Sequence, residues 1–422
     1  MSECALRFTM MPVMDQSKLD VAQLQKRDPV AWTALLRNQS EAADVIVTAV
    51  SAEPLRKPAG NGCHQHVNRY LVALARHSDP ITFIGKRTGP IETCFYQYIA
   101  PLIPELAPRC WFTHLAADEG WVILDDVPNH RPPERWAPED IEAVVDDMTS
   151  LHATFWGQQK QLQTSGLPHF TDDKRYSWRQ LRREQAVYFE EGPAAAISEH
   201  AINSAGRLAP LLLQAANGLV VMRGLGGWPG ILGESHLAAA ADLLDDPVPL
   251  LEPLRNLPVT LIHGSPHTYH WHLTLFGERR LLDWQKVMIG PGIYDLIYFL
   301  EQFELLYKSG ATWHVDVRQE RPATEETIID SYMLAMSKKL GSQFNARAAR
   351  QAIPAARCLY VLTNWFPYFA GWFSEMPNKY TWQKVNRMND EQLAGTSFQS
   401  IVHFRPYLAS VFRRFLHAYR TL

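Results

Sequence analysis

Two loops with a fixed order and spacing constrain the fold of this chain more than any other feature. The first loop, Leu261–His270, reads LIHGSPHTYH and follows a short apolar run. The second loop, Asp283–Leu296, reads DWQKVMIGPGIYDL and follows the apolar pair Leu281–Leu282. The pattern predicts a loop, then a short hairpin, then a second loop that begins with an acid.

This arrangement resembles the catalytic core of the aminoglycoside phosphotransferase and choline/ecdysteroid kinase-like superfamily. There the first loop reads His-Gly-Asp-x-His/Trp-x-x-Asn, and the second combines Asp-Trp/Phe with Gly-Pro and Asp-Leu. This chain keeps the frame but has Ser265 at the catalytic Asp position and His270 at the metal-binding Asn position. Phosphoryl transfer needs one loop to position the acceptor hydroxyl and another to hold the metal on the phosphates.

Other segments extend the resemblance to about residues 45–300. Leu151–Trp156 reads LHATFW, similar to the superfamily pattern Leu-His-Ala-x-Phe/Trp, and Glu92–Pro101 reads ETCFYQYIAP, similar to Glu-x-x-Phe-Tyr-x-x-x-Ala-Pro. For two residues of the second loop the resemblance implies a role. Asp283 would be a metal ligand, and Asp295 would brace the first loop by accepting hydrogen bonds from the backbone amides of that loop.

The fold class that follows is α+β, a bilobal protein-kinase-like fold. Its N-terminal lobe is an antiparallel β-sheet with one helix, and its larger C-terminal lobe is mostly helical. We expect an N-terminal extension over 1–43, the N-lobe over 44–126 and the helical lobe over 127–422, with catalytic loops at 261–272 and 281–296. β-Branched runs and helical spacing predict strands at 45–50, 67–72, 80–86, 110–114 and 120–124, and a helix at 91–103.

Helix signals outside this sheet are also readable. Asp28-Pro29 is a start signal in the extension, and Pro138 begins a helix with acids in its first turn. The glycines of 224–230 have the wrong spacing for a dinucleotide fingerprint, so this stretch is interpreted as a loop. Further helices are predicted at 175–191, 233–244, 323–341, 346–373 and 398–418.

Several residues are candidates for binding a nucleotide. Lys86 closes a predicted strand, where a compact cation can hold the α- and β-phosphates, and Glu92 can fix its direction if Gly89-Pro90 makes a tight turn. A solvated lysine at a strand end is the alternative. Gly60 and Gly62 allow backbone amides to approach phosphates, although most Asn-Gly pairs are plain turns. Leu124 and Asp126 end the last strand, at the linker where the resemblance places adenine.

The first loop supplies the catalytic candidates Ser265, His267 and His263. Ser265 stays neutral at pH 7, so it can hydrogen-bond an acceptor hydroxyl but cannot take its proton as an anion. His267 is either a base near neutral pH or, the favoured alternative, a brace within the loop. His263 braces the loop in the resembled superfamily.

Asp283 and His270 are the candidate metal ligands. Magnesium prefers oxygen, whereas manganese or zinc accepts an imidazole better. Alternatively, His270 donates to a phosphate directly. A cluster of the loop histidines around a metal is a less favoured alternative.

The sequence therefore predicts an ATP- or GTP-dependent phosphotransferase that uses Mg²⁺ or Mn²⁺ and phosphorylates a hydroxyl of a small molecule. The alternatives are a catalytically degenerate kinase that acts as a nucleotide-binding scaffold, and a repurposed fold in peptide or natural-product modification. Aromatic residues of the helical lobe are candidate walls of the acceptor pocket: Trp178, Trp365, Tyr368, Trp372 and Phe373.

Composition narrows the partners. A net charge of −3 and a pI near 6.6 give no broad field that would attract nucleic acid or an anionic membrane. The five cysteines are odd in number and widely spaced, and no signal peptide or long apolar run is apparent. We expect a cytoplasmic protein whose partner is a small-molecule substrate.

Overall fold

A computed structural model describes residues 19–40, 44–55, 67–127, 130–170, 176–177, 181, 197–274, 277–308, 323–373, 376, 378–393, 396 and 404–422. The chain divides into two compact units. The first contains the described residues up to Arg131, together with Thr164–Leu167 and His270–Val287. The second contains Pro132–Gln163, Pro168–Tyr269 and Met288–Leu422.

The first unit is built on a five-stranded antiparallel sheet whose strands are Val47–Pro54 (β1), Val67–Leu74 (β2), Ile81–Thr88 (β3), Cys110–Ala116 (β4) and Glu119–Asp125 (β5). The five strands predicted from the sequence are all present, which confirms the sheet of the predicted fold class. Their order across the sheet is β1-β2-β3-β5-β4.

The helix of this unit is less regular than predicted. It runs as an α-helix over Pro90–Cys94, as a π-helical turn over Phe95–Ile99 and as a 3₁₀ turn over Ala100–Leu102. Pro101 has no backbone N–H and cannot continue an α-helical ladder, which accounts for the change at the end.

The segment before the sheet folds against it. It forms helices Val21–Gln25 and Pro29–Ser40, and Asp28 accepts from the amide of Val30 at 3.0 Å, so the predicted start signal is confirmed. Trp32 is fully buried, with its ring 5.1 Å from that of Tyr70 on β2. Burial of this tryptophan fixes the two helices to one face of the sheet.

The hairpin predicted between the two loops is present. It consists of Trp271–Thr274 and Arg279–Leu281, and it pairs with a short strand at His130–Arg131. In the second unit, Thr260–Ile262, from which the first loop continues, pairs with Met288–Gly290. That second strand and the start of helix Gly292–Lys308 lie within the stretch Asp283–Leu296.

Helices dominate the chain after residue 131. The predicted helices near 138, 233–244 and 323–341 are confirmed within a few residues. The predicted helix 346–373 is instead a series of shorter helices joined by a π-helical turn at Val361–Trp365. Most of the prediction at 175–191 and the start of that at 398–418 lie outside the described residues. The α-helices of the described residues after 131 are Pro138–Thr154, Gln159–Thr164, Glu199–Ala205, Ala209–Leu225, Glu234–Asp245, Val248–Arg255, Gly292–Lys308, Glu325–Leu340, Ala346–Gln351, Ile353–Tyr360, Phe366–Phe373, Lys379–Asn386, Asp390–Leu393 and Arg405–Tyr419.

The glycine-rich stretch ends a helix and does not open one. Gly226 caps Ala209–Leu225 with φ of +76°, in the left-handed region that suits glycine at this position. The stretch is therefore a turn, as predicted, and it has no strand before it.

One helical stretch of the described chain, Glu199–Leu225, is long and apolar enough to cross a bilayer. However, 67% of its most apolar window is buried inside the protein. Core packing accounts for this apolarity, because a helix that is hydrophobic on most sides is buried in the centre of a unit.

Candidate active site

Lys86 lies at the centre of a charged cluster in the first unit. Its Nζ donates to Oε1 of Glu92 at 2.9 Å and to Oδ1 of Asp283 at 2.6 Å. The side chains of Lys86 and Glu92 are 9% and 1% exposed, whereas that of Asp283 is 30% exposed. One cation thus meets two carboxylates, and only the carboxylate of Asp283 is open to solvent.

The turn after β3 explains how Glu92 reaches the lysine. Gly89 is extended and Pro90 is the first residue of the helix, so the chain reverses within a few residues. Glu92 then faces back towards β3, where the hydroxyl of Thr88 donates to its second oxygen. The predicted ion pair is present, and both oxygens of this buried carboxylate have donors, as a buried charge requires.

Asp283 is held in an unusual backbone conformation. Its φ of +66° lies in the left-handed region, which a residue other than glycine adopts at a cost of about 1–3 kcal/mol. The next residue, Trp284, stacks on Phe95 at 4.1 Å and donates from Nε1 to the carbonyl of Leu281 at 2.7 Å. This tryptophan therefore joins the Asp283 turn to the helix that carries Glu92.

His270 faces the same carboxylate. Its Nε2 lies 3.4 Å from Oδ2 of Asp283, so the two candidate metal ligands contact each other. A carboxylate that is open to solvent suits Mg²⁺ or Mn²⁺, and an imidazole suits Mn²⁺ better. Among the residues that the structure describes, no group of three or more His, Cys, Asp or Glu is placed to hold a metal ion.

Asp295 braces the first loop in the second unit. Its carboxylate accepts from the amide of His263 at 2.6 Å and from the amide of Gly264 at 2.9 Å, and the residue is 1% exposed. Hydrogen bonds to a buried carboxylate are among the strong ones. The bracing role that the resemblance implied for Asp295 is confirmed.

The loop histidines make local hydrogen bonds. Nδ1 of His263 accepts from the amide of Ser265 at 3.3 Å, and Nδ1 of His267 accepts from the amide of Tyr269 at 3.2 Å. The Nδ1 lone pair of each ring is therefore engaged, and a neutral ring carries its proton on Nε2. This geometry favours a bracing role for His267 over a role as base.

Burial changes the acidity of His267. Desolvation lowers its pKa to about 4, so its imidazole is neutral at pH 7. A base of this strength accepts a proton poorly at neutral pH, which also favours bracing. Ser265, whose residue is 6% exposed, lies within this braced turn.

We expect acid to destabilise the second unit partly through His267. Its unfolded pKa is near 6.5, so between about pH 6.5 and pH 4 the unfolded chain binds a proton that the folded chain does not. Unfolding free energy should therefore fall as the pH falls through this window. His267→Asn keeps an acceptor for the Tyr269 amide and should weaken this pH dependence, as measured by urea unfolding at pH 7.0, 6.0 and 5.0. An unchanged pH dependence would contradict the assignment.

The other candidate nucleotide residues have varied surroundings. Leu124 is buried in β5. Asp126 pairs through Oδ2 with Nε of Arg69 at 2.6 Å, and its side chain is 5% exposed. Gly60 and Gly62 lie outside the described residues.

No role was assigned to His152 from the sequence and Tyr332 was not indicated at all, yet the two residues contact each other. His152 of the Leu-His-Ala pattern is completely buried, and its Nδ1 lies 2.9 Å from the hydroxyl of Tyr332. Its Nε2 lies 3.5 Å from Oδ2 of Asp295. The pattern signalled that His152 mattered, but no signal in the sequence connects it to a tyrosine so far along the chain.

The family of this chain follows from its sequence. The model of the phosphotransferase enzyme family matches residues 90–321, more than half of the chain. The chain therefore belongs to this family. The match contains Glu92, Ser265 and Asp283 but begins after Lys86.

Solved structures with similar folds were also found. Choline kinase from Cryptosporidium parvum Iowa II has a TM-score of 0.46 and 11% identity, covering 93% of this chain and 96% of that one. Choline kinase from Streptococcus pneumoniae has a TM-score of 0.40 and 10% identity, covering 92% and 98%. An amicoumacin kinase in complex with AMP-PNP and Ca²⁺ has a TM-score of 0.40 and 13% identity, covering 85% and 88%. No curated protein matches the sequence.

Proposed function

We propose that this chain is an ATP- or GTP-dependent phosphotransferase that transfers a phosphoryl group to a hydroxyl of a small molecule. Membership of the phosphotransferase enzyme family supports the reaction class. The observation that carries the proposal is the contact of Lys86 with both Glu92 and Asp283. A structural ion pair needs one carboxylate, whereas this lysine meets a buried carboxylate and a second, accessible one.

Each member of this cluster has a role in holding the nucleotide. Lys86 is a compact cation for phosphate oxygens, and Glu92 fixes the lysine's direction. Asp283, with His270 beside it, would hold a divalent cation, which supplies positive charge for the phosphates when it is bound. In this proposal Leu124 and Asp126, at the end of β5, lie near the base of the nucleotide.

The first loop would present Ser265 to the acceptor. Its neutral hydroxyl can orient an acceptor hydroxyl but cannot act as a carboxylate base. Base catalysis contributes about 10²–10⁴ in rate, while positioning and electrostatics supply much of the remainder in phosphoryl transfer. The proposed enzyme is therefore slow for its family.

Aromatic residues of the second unit are candidates for the acceptor's surroundings. Tyr368 is 55% exposed and stacks on Trp372 at 5.7 Å with an interplanar angle of 23°. Phe373, by contrast, is buried against Trp228 and belongs to the core. Trp178 lies outside the described residues. The stacked pair, of which Tyr368 is exposed and Trp372 is half-buried, supports an acceptor with an apolar or cationic face.

A nucleotide-binding scaffold without turnover is the second candidate. It is favoured by two changes in one loop, Ser265 for the expected acid and His270 for the expected amide. The hydrogen bond that engages Nδ1 of His267 also argues against a replacement base. Both candidates require nucleotide binding, and only the first requires turnover.

Lys86→Met should weaken binding of the nucleotide by at least about tenfold, because loss of a charge-assisted contact costs about 1.5–3 kcal/mol. The measurement is isothermal titration of ATP and GTP, each with Mg²⁺ or Mn²⁺. The matched control is Arg87→Met, because Arg87 is the next residue of β3 and is exposed. Equal affinities in both variants, or a wild type that binds neither nucleotide, would overturn the proposal.

A further inference from the structure

A pocket of about 240 Å³ lies within the second unit. Its floor is formed by Gly292, Ile293 and Tyr332, which are buried, and its walls include the half-buried rings of Trp156 and Phe344. The two wall rings lie 5.8 Å apart at 67°, an edge-to-face arrangement. A volume of this size suits one or two fused rings and is below that of a drug-sized site.

The chemistry of the lining defines what fits. None of the described residues that line the pocket is charged. Aromatic walls favour a planar ring that stacks or meets them edge to face. Asn256 and Asn345 are exposed and line the same pocket, so a polar edge of the occupant could be hydrogen-bonded there. An uncharged ring with one hydrogen-bonding group satisfies each of these features.

The floor of the pocket connects to the first loop. The hydroxyl of Tyr332 lies 2.9 Å from Nδ1 of His152, and Nε2 of His152 lies 3.5 Å from Oδ2 of Asp295. Asp295 in turn accepts from the amides of His263 and Gly264. Three side chains therefore join the pocket floor to the backbone of the loop that carries Ser265.

Burial keeps the hydroxyl of Tyr332 protonated, which limits the hydrogen bonds that this series of side chains can form. Burial, with the charge of Asp295 beside it, raises the pKa of Tyr332, so its hydroxyl stays protonated and is able to donate to Nδ1 of His152 when that nitrogen carries no proton. The remaining proton of a neutral His152 is then on Nε2, which faces Asp295.

The contact between His152 and Asp295 is longer than a hydrogen bond. Nε2 of His152 is buried and has no hydrogen-bond partner within the described part of the protein, and 3.5 Å is longer than an ordinary N–H···O bond. A shift of a few tenths of an ångström decides whether His152 donates to Asp295. A molecule in the pocket can therefore change whether the hydrogen bond between His152 and Asp295 forms.

Gly292 places the occupant beside these side chains. A Cβ atom at Gly292 would lie 2.6 Å from both Nδ1 of His152 and the hydroxyl of Tyr332, closer than Cβ contacts occur. The tyrosine–histidine hydrogen bond thus passes directly over this glycine, which also lines the pocket. A molecule that fills the pocket contacts the backbone next to that bond.

We propose that this pocket binds an uncharged planar aromatic molecule of one or two rings, and that its occupancy alters the brace of the first loop, namely the bonds from Asp295 to the amides of His263 and Gly264. The inference does not depend on the proposed function, because neither nucleotide nor turnover enters it. The site would therefore be regulatory, because its occupant would act on the first loop through His152 and Asp295 without contacting the loop itself.

Binding is tested with 5-fluoroindole as the probe, followed by ¹⁹F NMR of the full chain. We expect saturable binding to the wild type and at least about tenfold weaker binding to Ala348→Trp, whose side chain fills the pocket. Arg347→Trp, on the same helix with its side chain exposed and outside the lining, is the control and should bind as the wild type does.

A charged probe, 5-fluoroindole-2-carboxylate, should bind at least about tenfold more weakly than 5-fluoroindole, because burying an unpaired charge is costly. Equal binding to the two tryptophan variants, or no binding to the wild type, would overturn the site.

Coupling is tested by amide hydrogen exchange of His263 and Gly264. Saturating 5-fluoroindole should change their exchange rates by about fivefold or more in the wild type, the lower end of ordinary coupling energies. Tyr332→Phe keeps the ring but removes the hydroxyl, so it should bind the probe and show no such change. Binding without any change in the wild type, or an equal change in Tyr332→Phe, would overturn the coupling.

Discussion

Replacing Asp283 by Asn should lower the rate of phosphoryl transfer or nucleotide hydrolysis by about 10³ or more. Electrostatic stabilisation by a bound metal is worth several kcal/mol, and each 1.36 kcal/mol is about a factor of ten in rate. The substitution keeps the size of the side chain while removing the charge of the one accessible carboxylate of the Lys86 cluster. Single-turnover release of the γ-phosphate, with Mg²⁺ and with Mn²⁺, measures the effect.

Ser265→Ala provides the comparison for Asp283→Asn. A neutral hydroxyl contributes one hydrogen bond, worth about 1 kcal/mol, so its loss should cost no more than about tenfold. A large loss in Asp283→Asn with a small one in Ser265→Ala would indicate catalysis by positioning and charge. Equal losses would contradict the roles given to the two residues. A wild type that binds nucleotide without turnover would select the scaffold.

The double substitution Ser265→Asp and His270→Asn should raise turnover by about 10²–10⁴, the usual contribution of a general base. It restores the acid and the amide of the superfamily pattern within a loop whose backbone is already braced by Asp295. Steady-state ATP turnover of the wild type, both single variants and the double variant gives the increase.

The control for the double substitution is Ser265→Asn with His270→Asn. Asparagine is close to aspartate in size but cannot act as a base, so this pair should gain little. A gain that equals that of the aspartate variant would attribute the effect to His270. No gain in either double variant would mean that the loop has been rebuilt for other chemistry.

Much of the fold was predictable because its signals are local. Alternating β-branched runs predicted β2 and β3 within two residues, and Asp28-Pro29 predicted the start of a helix. Helices Ala209–Leu225 and Gly292–Lys308 were not predicted. Both are apolar and buried over most of their described length, and Ala209–Leu225 has no one-sided apolar stripe. The π-helical turns were not predicted, because their hydrogen bonds differ from those of an α-helix while the sequence pattern remains helical.

The candidate site was predictable in its residues but not in its contacts. The end of a predicted strand located Lys86, and the motifs located Glu92 and Asp283. The contacts agree with the expected pair of Lys86 and Glu92 and add the link from Lys86 to Asp283. The hydrogen bond from the Tyr269 amide to His267 depends on the loop's local geometry, which residue types alone do not define. The contact between His152 and Tyr332 joins two helices that are far apart in the sequence, so no local sequence pattern predicts it.

The proposed function requires that Lys86 contacts the phosphates of a nucleotide and that Asp283 would hold a divalent cation, which would supply positive charge for those phosphates. A crystal structure with AMP-PNP and Mn²⁺ tests this most directly, because the anomalous scattering of manganese locates the metal independently of the nucleotide. We predict an anomalous peak at coordination distance from a carboxylate oxygen of Asp283, with phosphate oxygens hydrogen-bonded to Lys86. Nucleotide bound elsewhere, or manganese bound away from Asp283, would contradict the proposal.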